Sequence, residues 1–194
     1  PLPAARRAAL AAMLEKDVAC PRASSVGRLF DGVCALLTGV SSVSYEGEGA
    51  VRLEAVLRPG VSGREYPASF YEEDGVRRFD IRPLVREIVR DRETGVPLPA
   101  IARSFHDALC AMALDQCRAL NPQHLPAALC GGVFLNRALL DGVSDRLQKA
   151  GYAVLTHRRV SPGDEGLSLG QLAAAARQRS ISHVSGSSAQ NSND

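Results

Sequence analysis

The stretch from residue 125 to residue 155 constrains the fold more than any other. Leu125 to Cys130 (LPAALC) has the short apolar character of a buried strand, and Gly131-Gly132 breaks it. Asn136 to Ala150 then repeats its apolar residues at helical spacing, and Tyr152 to Leu155 reads as a second strand. Strand, helix and strand in that order make a βαβ unit, which demands a right-handed crossover and lays its two strands parallel. The chain is therefore read as α/β.

Upstream, the pattern is mostly helical. Pro3 to Glu15 is an alanine-rich helix. Ala23-Ser24-Ser25 offers a hydroxyl cap to a second helix, in which Val26, Leu29, Phe30, Val33 and Leu36 or Leu37 recur at helical spacing until Gly39 stops it. A third helix covers roughly Gly49 to Leu57 and ends at Arg58-Pro59-Gly60. Tyr66 to Tyr71 and Val76 to Ile81 flank the turn sequence Glu72-Glu73-Asp74-Gly75 as a β-hairpin. Pro83 opens a helix to about Arg92, and Pro99 opens the longest one, to near Asn121, with Ile101, Phe105, Leu109, Met112 and Cys117 turned toward a core. A last helix is expected from about Glu165 to Arg177. From Arg179 to Asp194, Ser, Asn and Gln replace the apolar pattern, so burial cannot offset the entropy of ordering. The organisation read from the chain is one lobe over residues 1–178 and a disordered tail over 179–194.

A length of 194 residues at 45% hydrophobic content is enough for one core and too short for several. Lys+Arg 23 against Asp+Glu 21 gives a formal charge of +2 with no basic block, so neither nucleic acid nor a membrane surface is indicated as the main partner. Apolar runs such as Ala8 to Leu14 fall well short of the ~20 residues of a membrane helix. The five cysteines include no CxxC pair and each is set in apolar sequence, which reads as reduced, buried thiols of a cytoplasmic protein. The chain begins at Pro1 without an initiating Met or a signal-type region, which fits a piece of a longer protein.

Ligands of open α/β sheets gather beyond the carboxyl ends of the strands, where loops meet helix N-termini. Two loops here answer that description. In Cys130-Gly131-Gly132-Val133-Phe134-Leu135-Asn136, the glycines would let a phosphate or nucleoside approach the backbone, and Asn136 can donate and accept hydrogen bonds. Equally, Gly131 and Gly132 could make only a tight turn, with Asn136 a helix cap. In Val160-Ser161-Pro162-Gly163-Asp164-Glu165-Gly166, the Asp164 carboxylate could ligate a metal or cap the last helix. Gly27 and Asp31 stand one helical turn apart, and Asp31 could accept ribose hydroxyl hydrogen bonds or simply pair with Arg28. Ser44-Tyr45-Glu46-Gly47-Glu48-Gly49 supplies acids suited to the start of a helix. His106, beside a buried stripe, reads as a packing histidine.

Taken in order, Ser24-Ser25-Val26-Gly27-Arg28-Leu29-Phe30-Asp31, Ser44 to Ala50, Ile101 to His106, Gly131-Gly132-Val133-Phe134-Leu135-Asn136 and Pro162-Gly163-Asp164-Glu165-Gly166-Leu167-Ser168-Leu169-Gly170-Gln171 resemble the successive signatures of the HypF carbamoyltransferases, which mature [NiFe] hydrogenases. The resemblance covers nearly all of residues 1–177 and lies with the carboxy-terminal part of the last HypF domain, the one similar to TsaD. It implies the C-terminal lobe of an actin-like ATPase fold (ASKHA, TsaD-like), with a βαβ unit and flanking helices. It also implies that Gly27 and Asp31 help hold a nucleotide ribose, that Gly131, Gly132 and Asn136 contact the nucleotide, and that Asp164 is a metal ligand.

The chemistry implied by the resemblance starts from carbamoyl phosphate and ATP, which give carbamoyl-adenylate. The carbamoyl group then passes to the C-terminal cysteine of a HypE-type acceptor protein, the source of the cyanide ligand, with a divalent metal, zinc or iron, as cofactor. The other domains of the same enzyme would be further partners. Two departures stand out: Arg52 occupies the place of a second ribose-binding acid in TsaD proteins, and Gly163-Asp164-Glu165-Gly166 replaces the commoner Asn-Asp-Gly-Gly. A non-catalytic interaction module of the same fold and another ASKHA-type ATPase are the alternative readings.

Overall fold

The computed structural model describes residues 3–40 and 42–186, with the side chains of 179–186 left aside. The chain divides into two compact units, one ending at Ala113 and the other beginning at Leu114.

The first unit starts with α1 (Ala4–Glu15), which buries none of its residues and leaves Leu14 exposed. Helix α2 (Val26–Thr38) follows the expected local signals: the Ser25 hydroxyl accepts from the Arg28 amide, and Gly39 closes the helix in the left-handed region at φ 73°. Helix α3 (Glu48–Ala55) comes next, and then an antiparallel hairpin of β1 (Ser69–Glu73) and β2 (Val76–Asp80), paired Ser69↔Asp80 to Glu73↔Val76. Asp74 and Gly75 turn the hairpin with φ of 54° and 72°, the two-residue turn that such sequences favour. Tyr66 lies outside β1 rather than at its start. Pro67 cannot donate to a ladder, and the Tyr66 hydroxyl instead donates to Asp91 at 2.7 Å in a buried contact.

Helix α4 (Ile81–Glu93) begins at Asp80, whose carboxylate accepts from the Arg82 amide at 3.0 Å. Its start is thus set by a cap, with Pro83 tolerated inside the first turn. Helix α5 (Leu98–Leu120) carries the boundary between the units. The core of the first unit joins Phe30, Val33 and Cys34 of α2, Leu53 of α3, Leu84 and Ile88 of α4, and Ile101, Phe105 and Leu109 of α5. Phe30 meets Phe105 edge to face, with ring centroids 5.0 Å apart.

The second unit contains the βαβ arrangement: β3 (Ala127–Leu129) and β4 (Val154–Thr156) pair in parallel and are joined through α6 (Arg137–Lys149). Strand β3 is shorter than the expected Leu125 to Cys130. The Asn121 side chain takes both backbone groups of Leu125, accepting from its amide at 3.0 Å and donating to its carbonyl at 2.8 Å, and Pro126 has no amide to pair. Leu129, Leu139, Val143, Leu147 and Tyr152 are buried, and the His124 ring stacks on Tyr152 at 4.4 Å. The last helix, α7, spans Leu167–Gly186. Helical backbone bonds are local and need no burial, so the helix continues past Arg179, where the tail was expected to begin; residues 187–194 of that expected tail lie outside the described residues.

The thiols do not all follow the buried reading. Cys34 and Cys110 are buried, Cys20 and Cys117 are half-buried, and Cys130, one residue beyond the end of β3, is exposed. Among the described residues, no helix is long and apolar enough to cross a membrane.

Candidate functional site

The residues singled out in the second unit lie on two loops, and the structure brings those loops together. Gly131 takes φ 109° and ψ 152°, a conformation that a side chain would strain, so glycine is required there by the backbone itself. Its amide donates to the Pro162 carbonyl at 2.7 Å, tying the loop after β3 to the loop after β4. A Cβ on Gly163 would lie 3.4 Å from the Gly132 Cα, which is ordinary contact between the same two loops. On the other side, a Cβ at Gly131 or at Gly132 would meet nothing within 4 Å. The glycine pair thus forms a fixed turn with an open face.

A 3₁₀ turn, Gly132–Leu135, carries the chain from this glycine pair to Asn136, which is buried. The Asn136 side-chain oxygen accepts from the Leu139 amide at 2.9 Å and caps α6, and the Asn136 backbone N–H donates to the Val133 carbonyl at 3.2 Å. The capping alternative for Asn136 is therefore realised, at a position directly beside the open glycine turn.

Asp164 begins a second 3₁₀ turn, Asp164–Gly166, immediately before α7, and its exposed side chain makes no cap hydrogen bond. The acid that organises this loop is its neighbour: the Ser161 hydroxyl donates to Glu165 at 2.6 Å and accepts from the Gly163 amide at 3.2 Å. The Ser161 hydrogen bond holds the Glu165 carboxyl below its usual range. A Cβ at Gly166 would fall 2.7 Å from the Ser161 carbonyl oxygen, so that glycine serves close packing, whereas Gly170 faces open space.

Gly27 and Asp31 belong to the first unit, on α2. Gly27 is exposed, and Asp31 takes a loose ion pair with Arg28 at 3.4 Å, the plainer of the two readings of that acid. Helix α3 approaches Asp31 closely: a Cβ on Gly49 would lie 2.8 Å from its Oδ1 and 3.0 Å from its Cα, so a side chain there would crowd the Asp31 backbone. The carboxylate of the next motif is turned inward. Glu48 is buried, accepts from the Ser44 amide and from Arg52 Nε at 2.7 Å, and is held below its usual range first by the Ser44 amide and then by Arg52. Arg52, standing where an acid was the comparison, is thereby committed to Glu48 on its own helix.

Two constellations escaped sequence reasoning because their members are far apart in the chain. Arg64 grips the buried Asp91 through Nε at 2.9 Å and also reaches Glu87; the Asp91 carboxyl is held low mainly by Arg64, against its own burial. In the second unit, His157 Nε2 lies 3.5 Å from Cys130 Sγ across 27 positions. The parallel register was the one signal that could have brought this pair together.

As for a metal, the described residues contain no group of three or more His, Cys, Asp or Glu side chains arranged to hold one. Asp164, exposed and without a capping bond, fits a single ligand position and not a complete site.

Comparison with known proteins gives the family of the chain. Residues 2–171 match the family described as the carbamoyltransferase Kae1-like domain, second subdomain. The chain is 33% identical over 159 residues to the carbamoyltransferase HypF of Synechocystis sp., covering 82% of this chain and 20% of that protein. It is 35% identical over 179 residues to a HypF homolog of Cupriavidus necator, covering 87% of this chain and 44% of that protein. The crystal structure of a full-length HypF in its phosphate- and nucleotide-bound form superposes with a TM-score of 0.80 at 26% identity, over 88% of this chain and 22% of that one. HypF of T. kodakarensis gives 0.68 at 27% identity, over 86% and 21%. The chain thus spans between a fifth and a half of the length of these relatives.

Proposed function

The chain belongs to the HypF carbamoyltransferase family, as the second subdomain of the Kae1-like domain, and on that premise we propose that it is the nucleotide-holding part of an enzyme that carbamoylates a protein cysteine. The reaction starts from carbamoyl phosphate and ATP and passes through carbamoyl-adenylate. An acceptor thiolate, from a HypE-type partner, attacks the carbamoyl carbon; the S–C bond forms, the C–O bond to the adenylate phosphate breaks, and AMP leaves with the electron pair.

The observation that carries this reading is the open glycine turn at Gly131 and Gly132, fixed by the bond from Gly131 to Pro162 beyond the carboxyl ends of two parallel strands. An anionic adenylate can approach that backbone without meeting a Cβ, and strand ends of this kind are where α/β folds take nucleotides. A relative solved with phosphate and nucleotide bound supports the same role. Asn136 would contact the nucleotide beside the turn; Gly27 and Asp31, on the first unit, are the residues we propose for holding a nucleotide ribose. Asp164 would give one ligand to a divalent metal, zinc or iron, whose other ligands come from elsewhere in the enzyme; such a metal would supply electrostatic stabilisation of phosphate charge.

Nucleotide titration of the intact enzyme carrying Gly132→Leu tests the reading. A side chain at Gly132 starts into open space, so the melting temperature should hold while affinity for adenosine nucleotide falls at least about tenfold. Unchanged affinity would remove the glycine turn from the nucleotide site.

A further inference from the structure

The geometry points to a second reactive centre in this chain: Cys130 and His157 form a thiol–imidazole pair that takes low-molecular-weight disulfides at the Cys130 sulfur. The pair follows from the sheet. Leu129 and Thr156 are the last partners in the parallel register, so the next residue on each strand, Cys130 and His157, emerge side by side. Their Sγ and Nε2 atoms lie 3.5 Å apart, and both residues are exposed.

No other cysteine combines these features, since Cys34 and Cys110 are buried and Cys20 and Cys117 are half-buried. Cys20 donates to the Val18 carbonyl and Cys34 lies 3.8 Å from the Thr38 hydroxyl, neither of which can take up a thiol proton as an imidazole does. Directly after Cys130 comes the Gly131-Gly132 turn, where a Cβ on either glycine would meet nothing within 4 Å.

In the exchange step, the Cys130 proton passes to His157 Nε2 and the thiolate attacks one sulfur of the incoming disulfide. A new S–S bond forms and the old one breaks. The expelled thiolate takes the proton from Nε2 and leaves as a thiol, so the disulfide is the only oxidant. Imidazole partners raise cysteine reactivity by this means in many proteins.

The test is native-state reaction with a limiting amount of glutathione disulfide, acid quenching, and mapping of the mixed disulfide by peptide mass spectrometry. Cys130 should be modified ahead of the other four cysteines. His157→Ala should slow its modification roughly tenfold, and added free imidazole should restore part of the rate, which a merely supporting side chain would not allow. The proposal is overturned if another cysteine reacts first, if His157→Ala leaves the Cys130 rate unchanged, or if imidazole restores nothing.

Discussion

His106 shows what one residue does when its polar atoms are accounted for inside a core. It is buried, its Nδ1 donates to the Ala102 carbonyl at 2.7 Å, and its ring stands edge-on to Phe30 and Phe105. Burial pushes its pKa below the usual value, against the smaller opposing pull of the Ala102 carbonyl. The sign of the consequence is fixed: the unfolded chain binds a proton near the ordinary histidine value of about 6.5, while the folded chain resists it to lower pH. Stability is therefore full above that value and declines as pH falls below it, with a slope of at most about 1.4 kcal/mol per pH unit for the one proton. Urea unfolding at about pH 7 and about pH 5 should show this decline in the parent and a shallower one in His106→Gln. An equal slope in both would assign the acid sensitivity to other groups.

Among the elements, α6 connects stability to the proposed function because one side chain serves both. Asn136 caps the helix through the Leu139 amide while standing beside the open glycine turn. Asn136→Ala should cost roughly 1 kcal/mol of stability as well as nucleotide affinity. Asn136→Asp keeps an acceptor for the cap yet places a negative charge beside a phosphate, so it should melt like the parent and bind adenosine nucleotide more weakly. Thermal melts and nucleotide titrations of both variants in the intact enzyme check this, and full affinity in Asn136→Asp would leave Asn136 a cap alone. The same helix shows why part of the fold was legible. Caps, hairpin turns and helical stripes are decided within a few residues, so Ser25, Gly39, Asp74-Gly75 and Asn136 could be read from sequence. The rest depends on distant partners. Nothing local announces that Arg64 will close on Asp91, or that Gly63 must lack a side chain because a Cβ would come within 2.5 Å of the Ser104 amide nitrogen. At the site, the glycine loop was legible and its tie to Pro162 was not, since that bond joins two loops 31 residues apart.

For the molecule as a whole, the question is how much of a carbamoyltransferase these 194 residues can be. They span about a fifth of the Synechocystis relative. Asp164 is a single carboxylate, and no cluster of three potential metal ligands occurs among the described residues, whereas zinc ordinarily takes about three or four protein groups. The glycine turn that would receive the adenylate is open on its outer side, where water and salt weaken contacts to phosphate. Binding energy that is not enclosed cannot be directed to the reacting carbonyl, so the turn alone should hold nucleotide weakly and accelerate nothing. The expected outcome is that the 194-residue chain, mixed with carbamoyl phosphate, ATP, divalent metal and the acceptor protein, yields no carbamoyl-cysteine by mass spectrometry. Addition of the remaining domains as a separate chain should restore transfer, because the lobe would then contribute its glycine turn and Asp164 to an enclosed site. A carbamoylated acceptor formed by this chain alone would mean that the second subdomain is itself sufficient for catalysis, and that enclosure by the rest of the enzyme is dispensable.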